Sequence, residues 1–298
     1  MTKLFIEDTT LTAIGDAIRE KTGDEALIAP GDMPAAISGI KMGSGDIDAL
    51  VNRTITEYSS DTLTTVGERA FYSCESLTTV DLPACTTVKS SGFNSCTVLK
   101  EIDLPVCTTV GNSAFSYCDF LTTVDLPACT SIGTHAFHYC TRLASVNLPV
   151  CKSINTNAFL SCTSLKEIDL PACTTVGDSA FNGGSLTTIN LPVCKTIGDR
   201  AFGNCDFTSV DLPVCTSIDE DAFYACLALV TLILRSETMV TLNNINAFAS
   251  TPIESGTGYI YVPSALIDTY KADTNWSTYA NQFRAIEDYP EVCDDITS

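Results

Sequence analysis

Acidic and amide side chains recur at one fixed place in this sequence, one residue before the leucine of a Leu-Pro dipeptide. Alternation along a short strand would place them on one outer surface while the neighbouring Val and Leu point inward. Carboxylates about 5 Å apart repel each other, and a cation or basic ligand would relieve that repulsion. A solvated face copied by duplication is the alternative. The candidate binding face consists of this column and two glutamates beside it: Asp81, Asp103, Asp125, Asn147, Asp169, Asn190, Asp211, Glu101 and Glu167.

Other side chains capable of chemistry give weaker patterns. His135 and His138, with Cys140 nearby, are explained better as two polar residues that drifted into one repeat than as a metal site. The sequence holds no hydrolase elbow, phosphate-binding loop, zinc-protease motif or dinucleotide-binding glycine pattern. We therefore expect no enzyme activity, no metal site and no cofactor, with calcium at the acidic column left open as an alternative.

Fourteen of the fifteen cysteines fall on two columns, and Cys293 stands apart. No two of them form a CxxC pair, which would favour a zinc or redox site. A free cysteine behaves as a small, readily buried hydrophobic residue. The columns therefore predict ladders of buried, reduced thiols, with metal loading or disulfides between neighbouring turns as alternatives. The first column is Cys85, Cys107, Cys129, Cys151, Cys173, Cys194 and Cys215, and the second is Cys74, Cys96, Cys118, Cys140, Cys162, Cys205 and Cys226.

The charge and hydropathy of the chain exclude several classes of partner. The formal net charge of −20 would repel nucleic acid and an anionic membrane surface. No apolar run approaches the roughly 18 residues that span a bilayer, so membrane insertion is not expected. The N-terminus lacks the apolar core of a secretory signal, and general export is not expected either. Cationic partners, divalent ions and neutral glycans stay open.

The elements that must position the acidic column belong to a repeat of about 22 residues. Its apolar spacing is L-x-x-V-x-L-x-x-C-x-x-V, followed by a phenylalanine that recurs in every unit, and strict alternation lasts only long enough for a very short strand. One unit cannot bury enough surface to fold alone, so the units must stack. The pattern predicts an α/β repeat solenoid of leucine-rich repeats, with about eight turns, a short parallel β-sheet and a stacked aromatic spine.

Departures from the repeat define the predicted domains. Residues 1–41 are predicted to form a small helical N-terminal module, and residues 42–60 a linker with an N-terminal capping half-turn. The leucine-rich-repeat solenoid covers 61–250. Residues 251–298 are predicted to form a helical C-terminal cap and an acidic tail, with Ser264 and Asp273 as helix N-caps and Trp276 on a buried face.

The unit LTTVDLPACTTVGxxAFxxC is similar to the BspA-like family of leucine-rich repeats over roughly residues 61–287. The cysteine after Leu-Pro departs from the family, which more often has serine there. The resemblance implies a solenoid used for adhesion or protein recognition, with no catalytic residues to transfer. It thus implies a non-catalytic binding protein.

The N-terminal stretch IEDTTLTAIGDAIREKTG resembles a leader found on tail-associated and structural proteins of bacteriophages. This second resemblance implies a virion protein that is assembled in the host cytoplasm. The solenoid would contact a host-surface protein or glycan, and the N-terminal module would contact other virion proteins. The alternatives are an adhesin on a bacterial cell surface and an intracellular protein-interaction scaffold.

Overall fold

The computed structural model describes residues 53–294, and their side chains as far as residue 292. The predicted N-terminal module, most of the predicted linker and the last four residues lie outside the described residues. The chain divides between Leu148 and Pro149 into two compact units, called here the first and the second unit. Each turn of either unit contributes one three-residue strand and one two-residue strand, joined by tight turns.

The described part of the first unit contains nine strands, all in parallel pairs with their repeat equivalents. The three-residue strands form one sheet in the order β1, β3, β5, β7 and β9. Equivalent residues stand opposite each other, as Val80 does with Ile102, because the 22-residue period keeps the inward positions in register. The strands are Glu57–Ser59 (β1), Thr65–Val66 (β2), Thr79–Asp81 (β3), Thr87–Val88 (β4), Glu101–Asp103 (β5), Thr109–Val110 (β6), Thr123–Asp125 (β7), Ser131–Ile132 (β8) and Ser145–Asn147 (β9).

The second unit repeats this arrangement with shorter sheets on the three-residue side. Strand β11 pairs with β13, and β15, β17, β19 and β20 form a separate four-stranded sheet. The strands are Ser153–Ile154 (β10), Glu167–Asp169 (β11), Thr175–Val176 (β12), Thr188–Asn190 (β13), Thr196–Ile197 (β14), Ser209–Asp211 (β15), Ser217–Ile218 (β16), Thr231–Ile233 (β17), Thr241–Leu242 (β18), Tyr259–Val262 (β19) and Phe283–Ala285 (β20).

Two features of the predicted fold class need correction. The fold is a parallel β-solenoid of about ten turns: five three-residue strands lie in the first unit, and in the second unit four more are followed by the four-residue strand β19. The prediction of about eight turns was too low because β1 and β19 lack the Leu-Pro dipeptide used for counting. The repeats between 53 and 244 also contain no helix, so the α/β class was wrong for them.

Between residues 53 and 244, the half of each turn that carries the phenylalanine is a run of tight turns rather than a helix. Two residues per turn, such as Ser91 and Ser95, adopt left-handed backbone conformations with φ of 56° and 61°. Their amides donate to the next turn, with Ser95 N lying 2.8 Å from the carbonyl oxygen of Ser116. These bonds between turns offset the cost of a left-handed L-residue and replace the bonds that a helix would make.

The core of each unit confirms the predicted aromatic spine and thiol ladders. In the first unit Phe93, Phe115 and Phe137 stack with centroids 5.3 and 5.2 Å apart. In the second unit Phe202 stacks in the same way against Phe181 and Phe223. All fourteen cysteines of the two columns are buried and carry free thiols. The predicted sides of the repeat therefore face inward in both units.

Short helices occur only after residue 244 in the described part of the chain. The two α-helices are Ile267–Ala272 (α1) and Pro290–Asp294 (α2), and 3-10 helices cover Ile245–Phe248, Ser264–Leu266, Trp276–Tyr279 and Ile286–Asp288. Ser264 lies inside a 3-10 helix and does not cap one, whereas the Asp273 carboxylate accepts from the amides of Asn275 and Trp276. Among these elements none is long and apolar enough to cross a bilayer.

Side chains of this C-terminal region satisfy the edge of strand β18. The Trp276 indole donates to the Val240 carbonyl at 2.7 Å, and the Tyr270 hydroxyl accepts from the Val240 amide at 2.9 Å. Asn275 donates to the Leu242 carbonyl. An open edge strand would expose these groups and invite pairing with another chain. The region is small, and the predicted cap boundaries, 251–298, stay a prediction.

Candidate binding face on the three-residue strands

The candidate face is built by the first and third residues of each three-residue strand. In β3, β5, β7, β9 and β11 the middle residue is buried and both flanking residues are exposed. A period of two residues forces this result, because successive side chains of a strand point to opposite sides. Strands stacked about 4.8 Å apart then turn each outer position into a column. The structure places Asp81, Asp103, Asp125, Asn147, Asp169, Asn190, Glu101 and Glu167 at exposed positions of such columns.

Part of the face in the first unit forms a groove of about 400 Å³. Its floor includes the buried Val80 and Ile102. None of the described residues that line the groove is a lysine or an arginine. Its polar lining therefore carries only negative charge, contributed by Glu57, Asp81, Glu101, Asp103 and Asp125, next to Ser59, Thr79 and Thr123.

The two asparagines of the column pair with the preceding aspartate. Asn147 donates to the Asp125 carboxylate at 2.7 Å in the first unit. Asn190 donates to the Asp169 carboxylate at 2.8 Å in the second. An amide between strands removes one negative charge and adds a donor, so repulsion along the column falls at these two places. Asp81 and Asp103 have no such partner among the described residues.

Asp211 does not belong to the open face, which corrects the prediction for this residue. Its side chain is only 10% exposed and lies 2.8 Å from the Arg235 guanidinium, which donates to it. Burial raises the pKa of the Asp211 carboxyl, and the Arg235 charge partly opposes that shift. On the next turn the equivalent residue is Ile233, which packs with Tyr261 against Ile286 and Tyr289. The strand face around β17 is therefore covered by the C-terminal segment.

The cysteine columns fill structural roles. Cys96, Cys118 and Cys226 donate across the stack to the phenylalanine carbonyl one turn earlier, Cys118 doing so at 3.1 Å from Phe93. Burial raises the pKa of Cys107 and of Cys194 to about 12. Only the thiolate is a strong nucleophile or metal ligand, and these thiols stay protonated at neutral pH.

The two histidines lie close together without forming a metal site. Their ring centroids are 5.2 Å apart. Burial lowers the pKa of His138, and the charge of the neighbouring His135 adds a smaller shift in the same direction. Within residues 53–294 no three His, Cys, Asp or Glu side chains are arranged to hold a metal ion. The open alternatives of a thiol-bound metal and of calcium on the acidic column therefore gain no structural support.

The residues that the sequence reading missed are Glu57, Ser59 and Arg235. Glu57 and Ser59 stand opposite Thr79 and Asp81, and so extend both outer columns by one turn. The spacing of 22 residues between Glu57 and Thr79 was a usable signal. Their segment was assigned to the linker and capping half-turn because it lacks the Leu-Pro dipeptide. Arg235 follows β17, where the repeat is degenerate, and no pattern marks it.

Comparison of the sequence with protein families identifies the class of this protein. The model for the BspA type leucine-rich repeat region matches residues 52–166 and 152–258. Together these matches cover more than half of the chain, and the chain therefore belongs to that family. Neither match reaches the N-terminal leader, so the comparison gives the bacteriophage resemblance no support.

The comparison with solved structures found matches to proteins of several bacteria. A leucine-rich cell surface protein of Faecalibacterium prausnitzii is 19% identical, over 76% of this chain and 82% of its own, with a TM-score of 0.35. A leucine-rich repeat protein of Bacteroides ovatus is 21% identical, over 79% and 85%, with a TM-score of 0.40. The pneumococcal vaccine antigen PcpA is 14% identical, over 78% and 84%, with a TM-score of 0.35. No curated protein sequence matches the chain.

Proposed function

We propose that this protein is a non-catalytic binding protein, and that the outer columns of the three-residue strands in its first unit recognise a protein or glycan on a cell surface. The observation that carries the proposal is the groove in the first unit, whose charged side chains are all acidic and which lies on the most regular polar surface of the repeat. Stacked repeats characteristically bind through such extended surfaces.

The chemistry of the described residues favours binding over catalysis. The buried thiols are held protonated, and the exposed carboxylates stand in columns that repetition alone explains. A catalytic carboxylate pair would need two environments that push the two pKa values apart. The groove instead offers charge, shape and an apolar floor, which are the features that a ligand surface uses.

The test is a binding assay on arrays of surface proteins and glycans with the purified full chain. A strand-face variant carries Asp81→Asn, Asp103→Asn and Asp125→Asn, which all line the groove. Its matched control carries Glu75→Gln, Asp206→Asn and Glu220→Gln, which change the net charge equally at exposed residues outside the three-residue strands. We expect the parent and the control to bind the same target and the strand-face variant to bind it at least about tenfold more weakly. Equal binding by all three chains would refute the proposed site, and no binding by the parent would refute the function.

The location of the protein is a separate question, because the virion hypothesis depends on residues 1–41 alone. Those residues lie outside the described chain and outside the family match. Mass spectrometry of purified phage particles and of proteins released from intact bacterial surfaces separates the alternatives. Presence in particles would support contact with other virion proteins through the N-terminal module, and presence only on cells would support a bacterial adhesin.

A further inference from the structure

The acidic groove of the first unit contains carboxylates that the fold itself leaves unpaired. Asp125 accepts from Asn147, but the carboxylates of Asp81, Glu101 and Asp103 form no ion pair or hydrogen bond with any described residue. Exposed carboxylates on neighbouring strands repel each other, which destabilises the strand pairing. A ligand that supplies positive charge would remove this cost.

A serine at the end of the same column supplies a second and independent observation. Ser59 is only 8% exposed, it lines the groove, and it stands opposite Asp81 on the outer side of the sheet. Its hydroxyl is buried and has no hydrogen-bond partner among the described residues. A buried hydroxyl without a partner costs free energy, and most such groups in folded proteins are paired. Ser59 lies on the groove wall, so a ligand in the groove would supply this partner once the side chain rotates towards it.

Ser60, the next residue, shows that the turn after β1 does not depend on the Ser59 hydroxyl. The Ser60 hydroxyl accepts from the Leu63 amide at 3.1 Å and from the Thr62 amide at 3.4 Å, and so closes the following turn. The turn chemistry of the segment is therefore satisfied by Ser60. No described residue of the turn uses the Ser59 hydroxyl.

We propose that this groove binds a lysine- or arginine-rich segment of a partner protein, an inference that rests on the proposed function and names its ligand chemistry. The segment would cross β1, β3, β5 and β7 and set its cationic groups against Asp81, Glu101 and Asp103. Its aliphatic stems would lie on Val80 and Ile102, because long basic side chains bury their methylene groups on apolar surface. The Ser59 hydroxyl would bond to a polar group at one end of the segment.

The geometry favours several separate cationic groups over a single metal ion. Calcium needs six to eight oxygen ligands at about 2.3–2.6 Å from one point. The carboxylates of the groove are instead distributed over strands about 4.8 Å apart, and no three of the described ones are arranged around a common point. A row of charges at that spacing matches a chain with several basic side chains.

The test uses a labelled hexaarginine peptide, with hexaglutamine as the neutral control, and fluorescence anisotropy with the full chain. Two strands share the sequence Glu-Ile-Asp, and only one of them lines this groove. The test variant is Glu101→Gln with Asp103→Asn in β5, and its matched control is Glu167→Gln with Asp169→Asn in β11. Both variants change the net charge by the same amount.

We expect the peptide to bind the parent and the β11 variant alike, and the β5 variant at least about tenfold more weakly. Ser59→Ala should weaken binding about threefold without lowering stability, and hexaglutamine should not bind. Equal weakening by the β5 and β11 variants would overturn the proposal, because net charge alone would then explain binding. Binding of spermine as tight as that of the peptide would overturn the assignment to a protein segment.

Failure of this inference is distinguishable from failure of the proposed function. If the parent recognises a surface target in the array assay but does not bind hexaarginine, the cationic ligand is wrong and the binding function stands. If hexaarginine binds in the groove and no surface target is found on the arrays, the ligand chemistry stands and the adhesive role is wrong.

Discussion

The strand face differs sharply between the groove of the first unit and the region around β15 and β17 in the second, although the repeat position is the same. Asp103 is exposed and has no ion-pair partner within residues 53–294, whereas Asp211 is 10% exposed and paired with Arg235. One turn later the position belongs to Ile233, which is buried beside Tyr261. The difference teaches that a repeat position fixes the direction of a side chain but not its environment.

The carboxylates of the two regions also differ in their surroundings. In the second unit the C-terminal segment covers the face, and the buried carboxylate then needs a cation from the same chain. In the first unit the face is open, and its carboxylates are exposed to solvent. Carboxylates therefore cost stability in both regions, through burial that Arg235 only partly offsets in one and through mutual repulsion in the other.

The largest expected effect tests whether the difference is confined to the surface. Phe115→Ala in the first unit and Phe202→Ala in the second should each lower the free energy of unfolding by about 3–5 kcal/mol, because stacked neighbours cannot close the cavity. Denaturant titration measures both, with the exposed Thr122→Ala as control. A much smaller loss of unfolding free energy in one unit would mean that the two cores differ as well. The difference between the two regions would then not be confined to the surface.

The second effect concerns the covered region. Arg235→Met should lower the free energy of unfolding by about 2 kcal/mol at about pH 7, because it leaves the Asp211 carboxylate buried without its donor. The pKa of Asp211 is raised, so the folded state takes up a proton before the unfolded state does as the pH falls. The penalty should therefore shrink towards about pH 4.

Its control is Arg284→Met in the same region, where the guanidinium lies 4.2 Å from the centre of the Tyr259 ring and not on a carboxylate. Any loss of stability there should not depend on pH in this range. Parallel pH dependence of the two variants would show that Asp211 is not the titrating group.

The third effect compares the two serines at the end of β1. Ser60→Ala should lower the free energy of unfolding by about 1 kcal/mol, because the amides of Leu63 and Thr62 lose their acceptor. Ser59→Ala should leave stability unchanged or raise it by up to about 1 kcal/mol, since it removes a buried hydroxyl without a partner. Thermal unfolding in the absence of ligand measures both. An equal loss in the two variants would mean that the fold already uses Ser59.

The smallest effect concerns the open face itself. Asp81→Asn combined with Asp103→Asn should raise the free energy of unfolding by about 0.5 kcal/mol, because repulsion between neighbouring strands falls. Asp169→Asn should give no gain, since Asn190 already donates to that carboxylate. The gain should fade at about 1 M salt, where the screening length is roughly 3 Å. A gain that survives high salt would point to a cause other than charge repulsion.

The sequence by itself determined the repeat and everything that depends on its period. A nearly constant step of 21 or 22 residues forces equivalent side chains into columns. The aromatic spine, the buried thiols and the outward direction of Asp103 therefore followed from the spacing alone. Each repeat carries the same pattern of inward and outward residues, and stacking only aligns the copies.

The tertiary structure decided which columns are open to solvent, how many turns the solenoid has and which conformation the phenylalanine segment adopts. The left-handed residues Ser91 and Ser95 are tolerated because the neighbouring turns bond to their backbone, which no single repeat encodes. Arg235 reaches Asp211 across 24 residues, a pairing that depends on where the degenerate turn ends. The groove likewise exists because β1, without the Leu-Pro signature, stacks in register with β3. These features arise from contacts between turns. The spacing of residues along the sequence does not specify such contacts between distant segments.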